Sequence, residues 1–362
     1  MTTTTSQNTN YVYKPKLYRL DPAAENAVFY KLLQSPAAIK FDTVRMQLVE
    51  LLACRNPSLS KKEIKSSGMV DDYVSRLNQT LDTYGVWVYY PWKNHYVHIL
   101  DEEEFIEVRT NRNKNKITQQ EQNLLRGKKI GVVGLSVGRS VATTIALERI
   151  AGEIRLADFD EIELSNLNRI KTPLSEMGLN KAISTAREIA EIDPYINVKC
   201  YTEGLTEGNM NQFFNDGGRL DLFVEECDDI AVKITSRLKC KALGIPVVME
   251  TNDNCIVDIE RFDLDPDREI LHGKLEGTYA KEEFRMLEQN RMVLLQKMFD
   301  IENASSGMLR SLSEMGKSLK GLPQLGSEVI KGSGVLASLI REILLEKQEK
   351  SGRLTFGAHE SE

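Results

Sequence analysis

The chain contains Lys129-Ile-Gly-Val-Val-Gly134-Leu-Ser-Val-Gly138, an apolar strand that ends in a glycine turn and leads into a helix. After the turn, Val137, Val141 and Ile145 recur every four residues, which is the spacing of one helix face. A turn of this kind presents the first N–H groups of the helix, and these groups and the helix dipole favour an anion. The stretch therefore predicts an anion-binding strand–turn–helix unit.

Outward from this unit, apolar segments alternate with helical patterns. We predict further strands at Ile154–Asp158, Ile196–Tyr201, Leu220–Glu225 and Pro246–Glu250, and helices at Lys181–Ile192 and Ala231–Leu243. Alternation at this spacing is typical of a parallel sheet with helices on both faces. The predicted class is α/β, with a Rossmann-like, doubly wound, mostly parallel sheet.

The residues before this region have a different pattern. Helical spacing occurs over Phe41–Leu52, Lys61–Lys65 and Val70–Tyr84, and two β-rich runs flank a turn at Pro91–Asn94. Helices followed by a hairpin are typical of a winged helix, so we predict a winged-helix-like domain over residues 11–107. DNA binding by this domain is disfavoured because an acidic run follows the hairpin, at Glu102–Glu104.

The remaining boundaries follow from composition. We expect disordered tails at residues 1–10 and 348–362, a basic linker or arm at 108–126, and the α/β domain over 127–347. The C-terminal part of that domain is predicted to be helical, with Gly-rich breaks at Ser305–Gly307 and Gly332–Gly334 and an amphipathic helix at Val335–Lys347.

Composition excludes several classes of protein. The 362 residues carry a net charge of −6, which argues against nucleic acid as a partner. No apolar run reaches the roughly 20 residues that a membrane-spanning helix needs, so we expect no membrane partner. The five cysteines contain no CxxC pair, which fits a reducing compartment, and we expect a cytoplasmic protein.

The glycine turn departs from the usual dinucleotide fingerprint, GxGxxG, because Ser136 replaces one glycine. Asp158 lies at the end of the next predicted strand, where an acid accepts hydrogen bonds from a ribose. Gly134, Ser136 and Gly138 also match the nucleophile elbow of α/β-hydrolases. That alternative lacks support, because no acid–histidine pairing is evident in the sequence. A nucleotide site is therefore favoured.

The residues that follow Asp158 carry polar and cationic groups suited to a triphosphate. Asn166, Arg169 and Lys181 would neutralise charge that grows on the α-phosphate during attack. A second acidic cluster follows the predicted fourth strand, and its Asp228 is a candidate Mg²⁺ ligand, since Mg²⁺ prefers carboxylate and phosphate oxygens. Asp229 is predicted to cap the next helix instead.

At these residues the chain resembles the ThiF/MoeB family, the fold of ubiquitin-activating enzymes. The family pattern D-x-D-x-V-x-x-S-N-L-x-R is matched by the segment from Asp158 to Arg169, and its later C-T-D-N motif aligns with Glu226-Cys-Asp228-Asp229. The resemblance covers roughly a third of the chain. Some of its runs look closest to a bacterial branch in which the domain is often fused to a nitroreductase-like one, of which no portion is recognisable here.

The resemblance implies a role for each matched residue. Asp158 would hold the ribose, and Asp228 would bind Mg²⁺. The other implied nucleotide contacts, alongside the glycine turn Gly134, Ser136 and Gly138, are Asp160, Asn166, Arg169 and Lys181. The implied reaction uses ATP and Mg²⁺ to adenylate a carboxylate, at a peptide or protein C-terminus, with release of pyrophosphate. Arg169, Lys181 and Asp228 would carry the catalysis.

Several alternatives stay open. Val137 and Arg139 replace two more family glycines, which favours a second hypothesis, a scaffold that binds nucleotide or a partner without chemistry. A thiol intermediate would use Cys227 or Cys255. Family members are usually homodimers, and Arg109 or Arg112 of the basic arm would then be a candidate to reach the partner's site. The N-terminal domain is either a peptide clamp or a dimerisation element. An NAD-dependent dehydrogenase is the weakest alternative.

Overall fold

A computed structural model describes residues 9–19, 29, 31, 33–275, 294, 304–348 and 350–356. The chain divides into two compact units. The first comprises the described residues up to Gln119 together with Asp193–Tyr195, and the second comprises the remainder. Most of residues 276–303, part of the predicted C-terminal helical region, lie outside the described residues, as do residues 1–8 of the predicted N-terminal tail.

The first unit combines four strands with short helices. The strands are β1 (Lys16–Tyr18), β2 (Ile39–Asp42), β3 (Val86–Tyr90) and β4 (His95–Ile99), in the order β1-β3-β4-β2. The helices are α1 (Val44–Arg55), α2 (Lys61–Ser66), α3 (Met69–Arg76) and α4 (Glu102–Arg109). The predicted hairpin is present as the antiparallel pair β3 and β4.

Two predicted helices of this unit have different limits. Phe41 belongs to β2, so α1 begins only at Val44. The third helix ends at Arg76, not at Tyr84, because Asn78 takes a left-handed φ of 57° that breaks the helix. Ser60 begins α2 with a capping box, in which its side chain and Glu63 satisfy each other's backbone N–H groups. Assignment of this unit as a winged helix stays a prediction.

A seven-stranded sheet forms the centre of the second unit. Its strands are β5 (Lys129–Val133), β6 (Glu153–Ala157), β7 (Asn197–Tyr201), β8 (Leu222–Glu225), β9 (Val247–Thr251), β10 (Ile256–Glu260) and β11 (Gly352–Thr355), in the order β11-β10-β9-β8-β5-β6-β7. The five strands β7-β6-β5-β8-β9 are parallel, which confirms the predicted Rossmann-like α/β class. From β5 the chain adds β6 and β7 on one side of the sheet and then β8 and β9 on the other, so the strand order reverses between β5 and β8. Ligands bind at such a switch point in folds of this type.

The helices of the second unit follow the strands in alternation. They are α5 (Gln119–Arg126), α6 (Gly138–Glu148), α7 (Lys181–Ile192), α8 (Glu207–Asn215), α9 (Ile230–Leu243), α10 (Ser306–Glu314) and α11 (Gly326–Leu344). Strands β5, β6 and β8 are buried on both faces, in keeping with their near-continuous apolar runs. Among the described residues, no helix combines the length and apolarity that crossing a bilayer would take.

Three expectations about this unit are wrong. Helix α5 occupies the end of the stretch predicted as a linker. Gly332 and Gly334 do not break a helix, because α11 runs through both. The predicted C-terminal tail contains β11, which pairs antiparallel with β10 at the sheet edge. An ion pair explains that strand, since Arg353 of β11 makes two hydrogen bonds of 2.7 Å to the buried carboxylate of Asp258 in β10.

Candidate functional site

The turn after β5 packs tightly because two glycines leave room for neighbouring atoms. Gly134 has a φ of 81°, and a Cβ built on it would lie 2.4 Å from the backbone oxygen of Glu226, directly after β8. A Cβ on Gly138 would lie 2.8 Å from Cγ1 of Val132. The chain segments after β5 and β8 thus meet at the switch point of the sheet.

Asp158 lies directly after β6 and is 7% exposed. Its Oδ2 accepts a hydrogen bond of 2.5 Å from the N–H of Leu135, in the glycine turn, and its Oδ1 accepts one of 2.8 Å from the N–H of Asp160. Burial raises the pKa of this carboxyl, while both backbone donors act in the opposite direction. The acid is thereby fixed against the turn, and each oxygen keeps a lone pair for a further donor such as a ribose hydroxyl.

Lys181, the first residue of α7, brings a buried cation to the same place. Its Nζ lies 2.8 Å from Oδ2 of Asp160, and its side chain is 7% exposed whereas that of Asp160 is 52% exposed. Lys181 also acts electrostatically on Asp158, whose pKa it lowers. The structure therefore groups Asp158, Asp160 and Lys181, as the sequence predicted.

Arg169 is bound to the glycine turn through the residue that departs from the fingerprint. Its Nε donates a hydrogen bond of 2.9 Å to Oγ of Ser136, and its Nη1 donates one of 2.9 Å to Oδ1 of Asn168. Burial lowers the pKa of the guanidinium, and the charge of Asp228 opposes that shift. Ser136 thus positions a cation at the turn, a contact that a glycine would not provide.

The same bond bears on the hydrolase alternative. A nucleophilic serine needs a base as hydrogen-bond partner, whereas the partner of Ser136 is a cation. An acid–histidine pair does exist, contrary to the sequence-based expectation: His272 Nε2 lies 3.0 Å from Oδ1 of Asp258. Asp258 is also bound to Arg353 of β11, and these two partners hold the pKa of Asp258 below its ordinary value although burial opposes them. The pair of His272 and Asp258 therefore has a structural role, in which it joins secondary-structure elements.

Asn166 is 7% exposed and stabilises the loop that carries Arg169. Its Oδ1 accepts a hydrogen bond of 3.0 Å from the N–H of Glu163, which caps the 3-10 turn at Leu164–Asn168. The buried asparagine therefore has a clear structural role in positioning Arg169, and its contact with phosphate stays a prediction.

Arg139 and Val137 also replace glycines of the family pattern. The side chain of Arg139 points away from the glycine turn, and that of Val137 packs in the core. Arg139 is 5% exposed and contacts α7, where its Nη1 donates to Oγ of Ser184 at 2.6 Å and its Nη2 lies 2.8 Å from Glu188. Val137 is buried. Arg139 therefore joins α6 to α7.

The acidic cluster after β8 separates into distinct roles. Asp229 caps α9, as predicted, because its Oδ1 accepts a hydrogen bond of 2.8 Å from the N–H of Val232. Asp228 is exposed. Glu225 is fully buried, and both its oxygens lie 2.9 Å from Nζ of Lys233. Arg237 then connects Glu225 to Glu260 of β10.

Sequence reasoning missed two further acids beside the turn. Glu226 follows β8, and its Oε1 accepts a hydrogen bond of 2.9 Å from the N–H of Glu250, in β9. Glu250 is 4% exposed, and neither oxygen of its carboxyl has a hydrogen-bond partner among the described residues. The acid that ends the predicted strand Pro246–Glu250, in an otherwise apolar run, was the available signal.

Neither of the two candidate cysteines, Cys227 and Cys255, is an activated thiol. All five cysteines are free. Burial raises the pKa of Cys227 well above its ordinary value and also raises that of Cys255, and nearby carboxylates add to both shifts. A thiol with a raised pKa is a poor nucleophile at neutral pH.

Comparison with known proteins agrees with the geometry. The ThiF family profile matches residues 110–255. The chain is 40% identical over 268 residues to the uncharacterized protein MT1398 of Mycobacterium tuberculosis, an alignment that covers 74% of this chain. This chain spans only 37% of the length of that relative.

A second relative is aligned over nearly its whole length. It is a tRNA threonylcarbamoyladenosine dehydratase of Bacillus subtilis, 24% identical over 248 residues, with 65% of this chain and 96% of that protein covered. Among solved structures, PaaA superposes with a TM-score of 0.50 at 17% identity, over 71% of this chain and 81% of PaaA, which supports the fold. The chain therefore carries a domain of the ThiF family, with homology to MoeB-like and E1-like enzymes.

Proposed function

We propose that the protein is an ATP- and Mg²⁺-dependent adenylyltransferase that activates a carboxylate, at the C-terminus of a peptide or protein. The observation that carries this proposal is the hydrogen bond of 2.9 Å from Arg169 to Ser136, which holds a half-buried cation against the glycine turn. Relatives named as ubiquitin-like modifier-activating enzyme 5, from Bombyx mori and other insects, match about a third of this chain and agree with activation of a protein.

The reaction needs a nucleotide held in a fixed position. In the proposal, Asp158 accepts hydrogen bonds from the ribose hydroxyls, and the turn from Gly134 to Gly138 faces the phosphates. One carboxylate oxygen of the substrate attacks the α-phosphorus, the bond from that phosphorus to the bridging oxygen breaks, and pyrophosphate leaves. Arg169 and Lys181 would offset the negative charge that grows in the transition state, where one well-placed donor is worth roughly 3–4 kcal/mol.

The proposed magnesium site is consistent with the residues present. Asp228 is exposed, lies after β8 at the switch point, and acts electrostatically on Arg169. No group of three potential metal ligands occurs among the described residues, but Mg²⁺ in phosphate sites usually takes one or two carboxylates and completes its shell with phosphate and water. Bound there, Mg²⁺ would neutralise phosphate charge, and Asp228 would hold it.

A test uses pyrophosphate release by the full chain with ATP, Mg²⁺ and candidate peptides that carry a free C-terminus. Peptides with an amidated C-terminus are the control, because they lack the attacking carboxylate. We expect Arg169→Ala to lower the release rate by about 100-fold or more. The exposed neighbour Lys171 provides a matched control variant, Lys171→Ala, which should retain the rate. Equal release from free and amidated peptides would refute the proposal.

A non-catalytic scaffold is the second candidate. The observation that favours it is the loss of family glycines at Ser136, Val137 and Arg139. It predicts ATP binding that Arg169→Ala leaves unchanged and no pyrophosphate release with any peptide, which separates it from the adenylyltransferase.

A further inference from the structure

The acids Glu226 and Glu250 form a feature that neither the proposed nucleotide site nor the sheet explains. We call these two residues, of which Glu226 is partly exposed and Glu250 is buried, the acid pair. Glu250 is 4% exposed, and both of its carboxyl oxygens lack a hydrogen-bond partner among the described residues. A buried polar group without a partner costs free energy, and a buried carboxylate costs more. Such a group therefore points to a ligand that supplies the missing donors.

The pair lies directly beside the glycine turn. The side chain of Glu226 passes the start of α6, since a Cβ built on Gly138 would lie 3.5 Å from Cβ and 3.6 Å from Cγ of Glu226. Its Oε1 then accepts the hydrogen bond of 2.9 Å from the N–H of Glu250. The side chain of Glu226 is thus adjacent to the turn at which the acyl-adenylate would form, and the backbone of Glu250 lies beside the Glu226 carboxyl.

Helix α11 leaves the space that the Glu250 carboxyl occupies. A Cβ built on Gly332 would lie 2.3 Å from Cδ of Glu250, so a larger residue at this position of the helix would displace the Glu250 carboxyl. Glu328, one turn earlier on α11, raises the pKa of Glu250 further and supplies no cation. The glycine in the interior of α11 is therefore explained by an acid that the fold itself does not use.

We propose that the acid pair binds the ammonium group of a primary amine, the acceptor of the activated acyl group. This inference rests on the proposed adenylation. An ammonium group offers three donors, two of which match the unpartnered carboxyl oxygens of Glu250. A divalent metal fits less well, because no group of three potential metal ligands occurs in the described ranges.

Transfer of the acyl group to the amine then requires that the ammonium group lose two protons. The carboxylate of Glu250 takes one proton from the ammonium group, and the freed nitrogen lone pair attacks the acyl carbon. The C–N bond forms, the bond from the acyl carbon to the AMP oxygen breaks, and AMP leaves. The second amine proton passes to water, and the product is an amide.

The charge state of Glu250 agrees with a site for a cation. Burial raises the pKa of Glu250 to about 8, so its carboxyl holds a proton at neutral pH that a bound ammonium group would replace. The other charged or titratable groups that act on the pair are Glu225, Lys233, Cys255 and Glu328. Lys233 is already bound to Glu225, at 2.9 Å.

Binding of n-butylamine to the full chain tests the inference, by ligand-observed NMR without ATP, with 1-butanol as the uncharged analogue. We expect butylamine to bind and butanol not to bind. Glu250→Gln should weaken butylamine binding by about tenfold or more, whereas the exposed control Glu203→Gln should leave it unchanged. Glu226→Gln provides a second variant, and circular dichroism checks that each variant is folded.

Two results would overturn the inference. Butylamine binding that neither Glu250→Gln nor Glu226→Gln weakens would place the amine elsewhere. Displacement of bound butylamine by Mg²⁺, with Mg²⁺ binding lost in Glu250→Gln, would make the pair a metal site. Pyrophosphate release, measured in parallel, reports on the adenylation proposal, so failure of adenylation and failure of amine binding are distinguishable.

Discussion

At the scale of single residues, the site departs from its family where a side chain makes a new contact. Ser136 replaces a glycine and receives Arg169 Nε at 2.9 Å. Arg139 replaces another and bonds to Ser184 and Glu188 of α7. The first departure adds a contact to a proposed catalytic cation, and the second strengthens packing between helices. Neither places a side chain against Asp158, which stays bound to the Leu135 N–H.

Glu250 should make the stability of the protein depend on pH. Its pKa is raised from an ordinary value of 4.5 to about 8, so between these values the native state holds a proton that the unfolded state has lost. Stability should therefore fall as the pH rises through this window, by at most about 1.4 kcal/mol per pH unit from this group.

Thermal unfolding of Glu250→Gln and the unaltered chain from pH 5 to pH 9 measures this contribution. We expect the variant to gain stability relative to the unaltered chain as the pH rises, with a plateau above about pH 8. Curves that stay parallel across the window would show that the carboxyl is solvated or paired in solution.

At the scale of elements, the turn between β5 and α6 depends on glycine for two separable reasons. Gly134 and Gly178 have similar left-handed φ values, 81° and 78°. A Cβ on Gly134 would meet the Glu226 backbone at 2.4 Å, whereas a Cβ on Gly178 would meet nothing within 4 Å. Alanine at the two positions therefore separates backbone strain from steric overlap.

We expect Gly178→Ala to cost about 1–2 kcal/mol of unfolding free energy, the cost of a left-handed residue. Gly134→Ala should add about 1–3 kcal/mol for overpacking. Urea denaturation followed by circular dichroism measures both. Equal costs would show that the segments after β5 and β8 do not meet as closely as described.

Sequence patterns predicted the elements that repeat a simple period. Helix α7 begins and ends where predicted, at Lys181 and Ile192, because its apolar spacing is regular and Lys181 begins it. Strand β11 was missed because Gly352–Thr355 has no apolar run, and its pairing depends on an ion pair between Arg353 and the distant Asp258. Local composition cannot reveal a partner almost a hundred residues away.

The residues of the candidate site also divide into those that the sequence identified and those that it missed. Asp158, Arg169 and Lys181 follow motif positions, so the sequence identified them, and the structure brings each to the turn or its neighbouring acids. Glu226, directly after β8, and Glu250, in β9, become neighbours only through the parallel pairing of β8 and β9. Their proximity is a property of strand register, which a single sequence does not contain.

At the scale of the whole molecule, a buried ionic network connects strands across the second unit. Arg237 of α9 bonds to Glu225 of β8 and to Glu260 of β10, and both acids are at most 1% exposed. Glu260 also accepts a hydrogen bond of 2.6 Å from the N–H of Leu271. The network balances its charges, with Lys233 as the fourth member.

Removal of one member should be costly because it leaves the others buried and uncompensated. Arg237→Leu is expected to lower the free energy of unfolding by about 3–5 kcal/mol. Lys241 lies on the same helix, but its side-chain hydrogen bond is exposed. Lys241→Leu should therefore change the free energy of unfolding by less than about 1 kcal/mol. Chemical denaturation compares the two, and similar small effects would mean that water reaches the network.

Calorimetric titration of the full chain with ATP and Mg²⁺ tests the central claim most directly, because every proposed step needs a nucleotide at this turn. We expect one saturable site per chain, with affinity reduced at least about tenfold by Asp158→Asn and unchanged by Glu161→Gln, an exposed acid of the same loop. Absence of binding, or binding that Asp158→Asn leaves intact, would contradict the account.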